Sequence, residues 1–430
     1  MLLKNTAFNL VGFGAPLVVA IVTIPLLLSG LGDEKFGLLA LLWSVVSYAS
    51  VLDLGLGRAV TLRLAAPGVL IDDLRFADIA GTGLLALSAL GIGLAALLAA
   101  ISRPTVDLVG GADPDEIVAA AYAMAAALPF ILAASGLRGI LEARHAFATI
   151  NLIRGPLGVF TFLGPLLVLY AAGPRIDLIA WCLTAGRVAA AIAYAVSALG
   201  RRRVLYRFNW PELRALARMG GWLSLANAVG LLMGYADRFV IAGALSVAAV
   251  AYYATPQELV TKLWIIPSSL TAVLFPALVA NLHQPAEIRR LLLASMKLLS
   301  VCLFPICAIL AFAAHPILAL WINPEFAAKS AGVLSVLSLG VFVNSLAHVP
   351  STFLQAAGRA KLVAIIQLLE TPVYLAALWF VTVRFGIIGT ALVWLTRMVI
   401  DTSIMLACSR MLWRASFDKI ETPCQTERFQ

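Results

Sequence analysis

The chain has 430 residues, of which 62% are hydrophobic and 12% charged, with a formal net charge of +9. An ordinary soluble domain carries about 25% charged residues, so this composition excludes a water-soluble globular fold and leaves little room for any extramembrane domain. The positive balance does not point to nucleic acid, because the basic residues gather at the ends of apolar runs without interleaved aromatics.

A helix that crosses a bilayer needs about 20 apolar residues. Runs of that kind, broken by Gly, Pro or charge, predict spans at 7–30, 36–57, 79–101, 117–137, 150–172 and 176–199. The first run lacks a small-residue cleavage site and reads as a retained helix rather than a signal peptide. A polar stretch follows, holding Arg201, Arg202, Arg203, Arg207, Arg214 and Arg218. Six further spans are predicted at 219–243, 247–280, 292–314, 332–355, 361–384 and 387–411. The expected fold class is an all-α polytopic membrane protein of about twelve transmembrane helices. Its expected domains are an N-terminal six-helix lobe over 1–200, a cytoplasmic basic linker over 201–218, a C-terminal six-helix lobe over 219–412 and a cytoplasmic tail over 413–430.

Lys and Arg fall mainly in alternate loops, as cytoplasmic retention of positive charge requires, and this places both termini in the cytoplasm. The largest loop on the other side, around Asp107, Asp113, Asp115 and Glu116, is acidic. The halves also repeat. LEARHAFATINLIRG from Leu141 matches LQAAGRAKLVAIIQLLE from Leu354, and Arg187 in WCLTAGRVAA has its counterpart in Arg397 of VWLTRMVI. An even number of helices per half inserts both in one orientation, so the lobes are expected to be related by a pseudo-two-fold axis along the membrane normal.

The opening segment, NTAFNLVGFGAPLVVAIVTIPLLLSGLGDEKFGLLALLWSVVSYASVLDLGLGRAVTLRLA, carries an Asn-rich start, a helix ending in IPLLLSGLG, the pair Phe36 and Gly37, and LDLGLGRA from Leu52. With YADRFVIAGALSVAAVAYYATPQEL from Tyr235, it resembles polysaccharide flippases of the O-antigen type, within the multidrug/oligosaccharidyl-lipid/polysaccharide exporter superfamily. The resemblance implies two six-helix lobes and alternating access in a bacterial inner membrane, with an oligosaccharide on a polyprenyl pyrophosphate carrier as substrate. It implies no enzyme activity and no cofactor. The partners implied are the lipid-linked oligosaccharide, membrane lipids and the polymerase or export machinery of the same pathway. No GxxxxGK[ST] phosphate loop occurs in the chain. A multidrug exporter of the same superfamily and a membrane polysaccharide polymerase stay open as alternatives. The exporter favours acidic groups for cationic drugs, and the polymerase needs a larger extramembrane loop.

Ionisable groups inside a membrane cost about 2.5–3.5 kcal/mol each on insertion scales and usually face a cavity or a partner. Arg58, Arg154, Arg187, Lys262 and Arg397 are the candidates for a cationic cavity that binds a pyrophosphate-linked sugar, since guanidinium groups take phosphate through paired donors. Snorkelling of Arg58 and Arg154 to the interface is the plain alternative. Glu258 and Lys262, at i and i+4, suit a self-neutralised pair, and Arg397 with Asp401 suits another. Glu370, without a local partner and before the Thr371-Pro372 kink, is the leading ion-coupling candidate, followed by Asp53 and Asp237. Either Asp equally suits a cap or pair at a helix end. The five cysteines and four histidines form no metal-type spacing, and no metal site is expected.

Overall fold

A backbone that crosses hydrocarbon must satisfy its own hydrogen bonds. In the computed structural model, which describes residues 2–49, 53–66, 68–69, 72–109, 113–200 and 207–417, every regular element is a helix. The chain divides into two compact units, Met1–Ala251 and Tyr252–Gln430.

The first unit contains α1 (Leu2–Ala49), α2 (Leu56–Leu64), α3 (Asp73–Val109), α4 (Pro114–Ala143), α5 (Phe147–Ala172), α6 (Ile176–Leu199), α7 (Trp210–Ala244) and the start of α8 (Val247–Thr261). Gly32, at φ 74° and ψ 170°, breaks α1 into two limbs. Glycine adopts that backbone at little cost, so two predicted spans join without a loop. Helix α4 is the hub and packs against α1, α2, α3, α5 and α6. Its small residues Ala120, Ala123 and Ala127 are buried in those contacts.

Helix α2 departs from expectation. The predicted span 36–57 stops at Ala49, and Leu54 and Gly55, at φ 51° and 64°, turn the chain before α2. Asp53 stabilises that turn. One of its oxygens accepts the Gly55 N–H at 2.9 Å and the other the Ser135 hydroxyl at 2.5 Å. No side chain separates α2 from α4: a Cβ on Gly139 would lie 2.6 Å from the Gly57 carbonyl oxygen. Helix α7 begins inside the predicted linker, at Trp210, because Asn209 and Pro211 supply a helix start. Asn209 anchors it to α3 through Asp78 and Thr82 at 2.9 and 2.8 Å, and Glu212 pairs with Arg63 of α2.

The second unit contains the rest of α8, a 3-10 turn (Lys262–Trp264), α9 (Ile265–Ala280), α10 (Pro285–Phe312), α11 (Ala314–Trp321), α12 (Pro324–Ala356) and α13 (Ala360–Phe417). Here α12 is the hub, packed against α9, α10, α11 and α13. Leu274, Leu278, Leu299, Leu303, Val349 and Phe353 form its core. Gly386, at φ 63° and ψ −156°, breaks α13 into two limbs, which the Thr382 and Thr390 hydroxyls tie together at 2.8 Å. The short helix α11 falls where the sequence suggested only a loop.

Eight segments of the described residues are long and apolar enough to cross a membrane. One of them, Ala360–Arg414, contains Gly386 and accounts for the last two predicted spans. The chain is thus a multi-pass helical membrane protein.

The repeat seen in the sequence recurs as one backbone motif. After α4, Ala146 N–H donates to Leu141 O at 2.9 Å and His145 N–H to Glu142 O at 2.9 Å. After α12, Arg359 N–H donates to Leu354 O at 2.8 Å and Gly358 N–H to Gln355 O at 3.0 Å. Both are Schellman turns with a left-handed residue, His145 or Gly358, at the same position. Each unit closes its hub helix in the same way.

Candidate functional site

The sequence candidates fall into separate clusters within each unit rather than into one site. On α6, Arg187 is half-buried and reaches the Thr161 hydroxyl of α5 at 3.4 Å. That hydroxyl already donates to Leu157 O at 2.8 Å, so Thr161 has a lone pair to offer the guanidinium. Among the described residues no carboxylate lies within ion-pair distance of Arg187. Arg154, near the start of α5, is exposed and lies in the neighbourhood of Arg138, Glu142 and Tyr194. Arg58 is exposed on α2.

The hydropathy pattern places Arg138 in a loop. Helix α4 runs on to Ala143, past the predicted end at 137, and carries Arg138 and Glu142 on one face at 3.5 Å. The i, i+4 spacing of the two charges was the available signal.

The two aspartates have polar partners. Asp53 holds the turn before α2, as described above. Asp237 is fully buried on α7 and accepts the Arg238 N–H at 2.9 Å. The Arg238 guanidinium, also buried, reaches Ser44 Oγ at 3.2 Å and Ala40 O at 3.4 Å on α1 and lies 5.1 Å from the Tyr235 ring centroid. This cluster fastens α7 to the second limb of α1.

In the second unit, the limbs of α13 bring Glu370 and Arg397 together. A Glu370 carboxylate oxygen lies 3.9 Å from Arg397 Nε, so Glu370 has a partner that its local sequence does not reveal. The Arg397 guanidinium sits 5.2 Å from the ring centroid of Tyr374, one turn beyond Glu370. Asp401, buried one turn beyond Arg397, acts electrostatically on Glu370 and is acted on by Arg397. The expected self-contained Arg397–Asp401 pair is not formed: among the described residues Arg397 has its ion-pair contact with Glu370, and Asp401 stands beside that group one turn away. Four of its buried atoms have no hydrogen-bond partner among the described residues: both Glu370 oxygens, Arg397 Nε and Asp401 Oδ1. Buried polar atoms are normally satisfied, so the cluster can accept a proton or a small polar species. Lys262 stands apart, paired with Glu258 at 2.8 Å in the order that favours a helix pair.

Among the described residues no group of His, Cys, Asp and Glu could hold a metal ion.

Comparison with known proteins adds a family. A family model for polysaccharide biosynthesis proteins matches residues 89–331. A putative O-antigen transporter of Shigella flexneri is 29% identical over 419 residues, covering 94% of this chain and 96% of its own. Among solved structures, the inward-facing conformation of a multidrug resistance MATE family transporter of the MOP superfamily is 15% identical with a TM-score of 0.81, over 96% of this chain and 99% of that one. A MOP superfamily transporter from Pyrococcus furiosus, described as having a binding pocket of reverse polarity, is 15% identical with a TM-score of 0.63, over 95% of this chain and 94% of that one. The structural likenesses identify the fold.

Proposed function

This chain belongs to the polysaccharide biosynthesis protein family, and on that footing we propose that it is a flippase for polyprenyl-pyrophosphate-linked oligosaccharide. It carries the lipid-linked sugar from the cytoplasmic to the outer leaflet of a bacterial inner membrane by alternating access, for surface polysaccharide synthesis. It is a transporter, with both termini in the cytoplasm, and works alongside the polymerase or export machinery of its pathway.

The observation that carries this reading is the state of Arg187. A half-buried guanidinium whose only described polar contact is the Thr161 hydroxyl keeps most of its donors available. Such a group suits the oxygens of a diphosphate, which accept paired N–H donors. The same surplus of cations argues against a drug exporter of this superfamily, whose cationic substrates need acidic walls. Arg58 and Arg154 extend the positive field on the same unit, and Lys262 is the weakest candidate because Glu258 neutralises it. Coupling belongs to the Glu370, Arg397 and Asp401 group, where Glu370 lies 3.9 Å from the guanidinium and a second buried carboxylate stands one turn away. Asp53 and Asp237, tied into a turn and a helix junction, are secondary candidates.

The test is export. Arg187→Gln is expected to abolish surface polysaccharide in cells while the protein accumulates normally in the membrane. In proteoliposomes it should lower translocation of the lipid-linked oligosaccharide by about tenfold or more, the loss of one charge-assisted contact. Wild-type export from a well-expressed variant would remove Arg187 from the substrate path.

A further inference from the structure

We propose that Glu142 is an internal anion, seated where a substrate phosphate docks between Arg138, Arg154 and Thr61, and that the incoming diphosphate displaces it. The inference rests on the flippase reading above and adds a loading step to it.

Glu142 is held loosely. One of its oxygens lies 3.5 Å from Arg138 Nε, and the other accepts the Thr61 hydroxyl at 3.4 Å. Settled charge-assisted bonds are about 2.7–2.9 Å. Arg138 precedes Glu142 by four residues, the less favourable order for a helix pair, so helix stability alone is a poor reason for the arrangement. Both side chains are solvent-accessible, at 41% and 36%. Arg154 of α5 and Tyr194 of α6 complete the neighbourhood. Two guanidinium groups against one carboxylate leave a net positive charge.

The donor groups are fixed while the anion is not. Thr61 is carried on α2, which the bare Gly57–Gly139 contact presses against α4. Its hydroxyl is shared between Gly57 O at 3.1 Å and Glu142, so it can redirect to a new oxygen without any backbone movement. A carboxylate and a phosphate offer guanidinium the same pair of oxygens, but a diphosphate carries more charge than one glutamate. The substrate therefore wins the site while present. When it moves on, Glu142 returns and again neutralises part of the positive charge there.

The experiment measures binding of polyprenyl diphosphate, and of inorganic pyrophosphate, to the full-length protein in nanodiscs. Glu142→Gln is expected to bind both probes about two- to fivefold more tightly, the range for a half-exposed ion pair that no longer competes. Arg138→Gln is expected to weaken both. Glu142→Asp, which keeps the charge but withdraws it, should fall between wild type and Gln, and it carries the test if the Gln variant does not fold. Unchanged or weaker affinity in Glu142→Gln, with wild-type binding intact, overturns the internal anion and leaves the flippase reading standing. Tightening for the lipid but not for pyrophosphate also overturns it, because the competition is then not for phosphate. Absence of polyprenyl diphosphate binding by the wild type overturns both.

Discussion

Two repeat-related arginines solve the same problem differently. Arg187 relies on a hydroxyl, whereas Arg397 has a carboxylate at 3.9 Å and a tyrosine ring under its plane. The first keeps donors unused among the described residues, and the second belongs to a local charge group. This divides the labour that the sequence suggested for both. For Arg187, depth in the membrane was legible from its position in an apolar run, but the absence of a carboxylate nearby was not, because partners come from other helices. Glu370 shows the limit most clearly. Its ion-pair partner, Arg397, lies beyond a helix break and past the nearer cations Lys361 and Arg384, and no spacing rule reaches that far. If Glu370 binds the coupling proton, Glu370→Gln should make translocation in proteoliposomes insensitive to an imposed pH gradient. Asp401→Asn is expected to weaken the response without removing it, since Asp401 acts on the group from one turn away. A full gradient response in Glu370→Gln would assign coupling elsewhere.

At the level of helices, hydropathy located the long spans well because the bilayer sets their length. Their ends moved where local chemistry intervened. Pro285 and Pro324 start α10 and α12 earlier than the apolar runs do, since proline sits comfortably in a first helical turn. The short helices α2 and α11 escaped notice because eight or nine residues cannot show a membrane-length signal. The glycine breaks are the more consequential elements. Gly386 holds a left-handed backbone angle between the limbs that carry Glu370 and Arg397. Gly386→Ala is expected to cost about 1–3 kcal/mol, visible as a lower melting temperature in detergent and as reduced transport. Equal stability and transport in that variant would mean that the break tolerates a Cβ and does not position the pair.

For the molecule as a whole, composition alone placed the chain in the membrane, and the alternation of charge predicts a direction for it. Each unit then proved to be organised around one hub helix, α4 or α12, capped by the same turn. That likeness was visible in sequence because a Schellman turn restricts which residues fit, whereas the sides of helices that meet inside each unit leave no comparable local mark. The orientation yields a direct check. Alkaline phosphatase fused at residue 113 should be active and the same enzyme fused after residue 417 inactive, because the enzyme folds only outside the cytoplasm. The reverse pattern would invert the direction of transport.

Because α1 turns at Gly32 without an intervening loop, its two limbs are joined directly at the tip. The charged residues of that tip are Asp33, Glu34 and Lys35, which sum to −1. The insertion machinery therefore has a small, slightly negative knot to move across the bilayer rather than a hydrophilic segment, and the first two crossings can enter the lipid together.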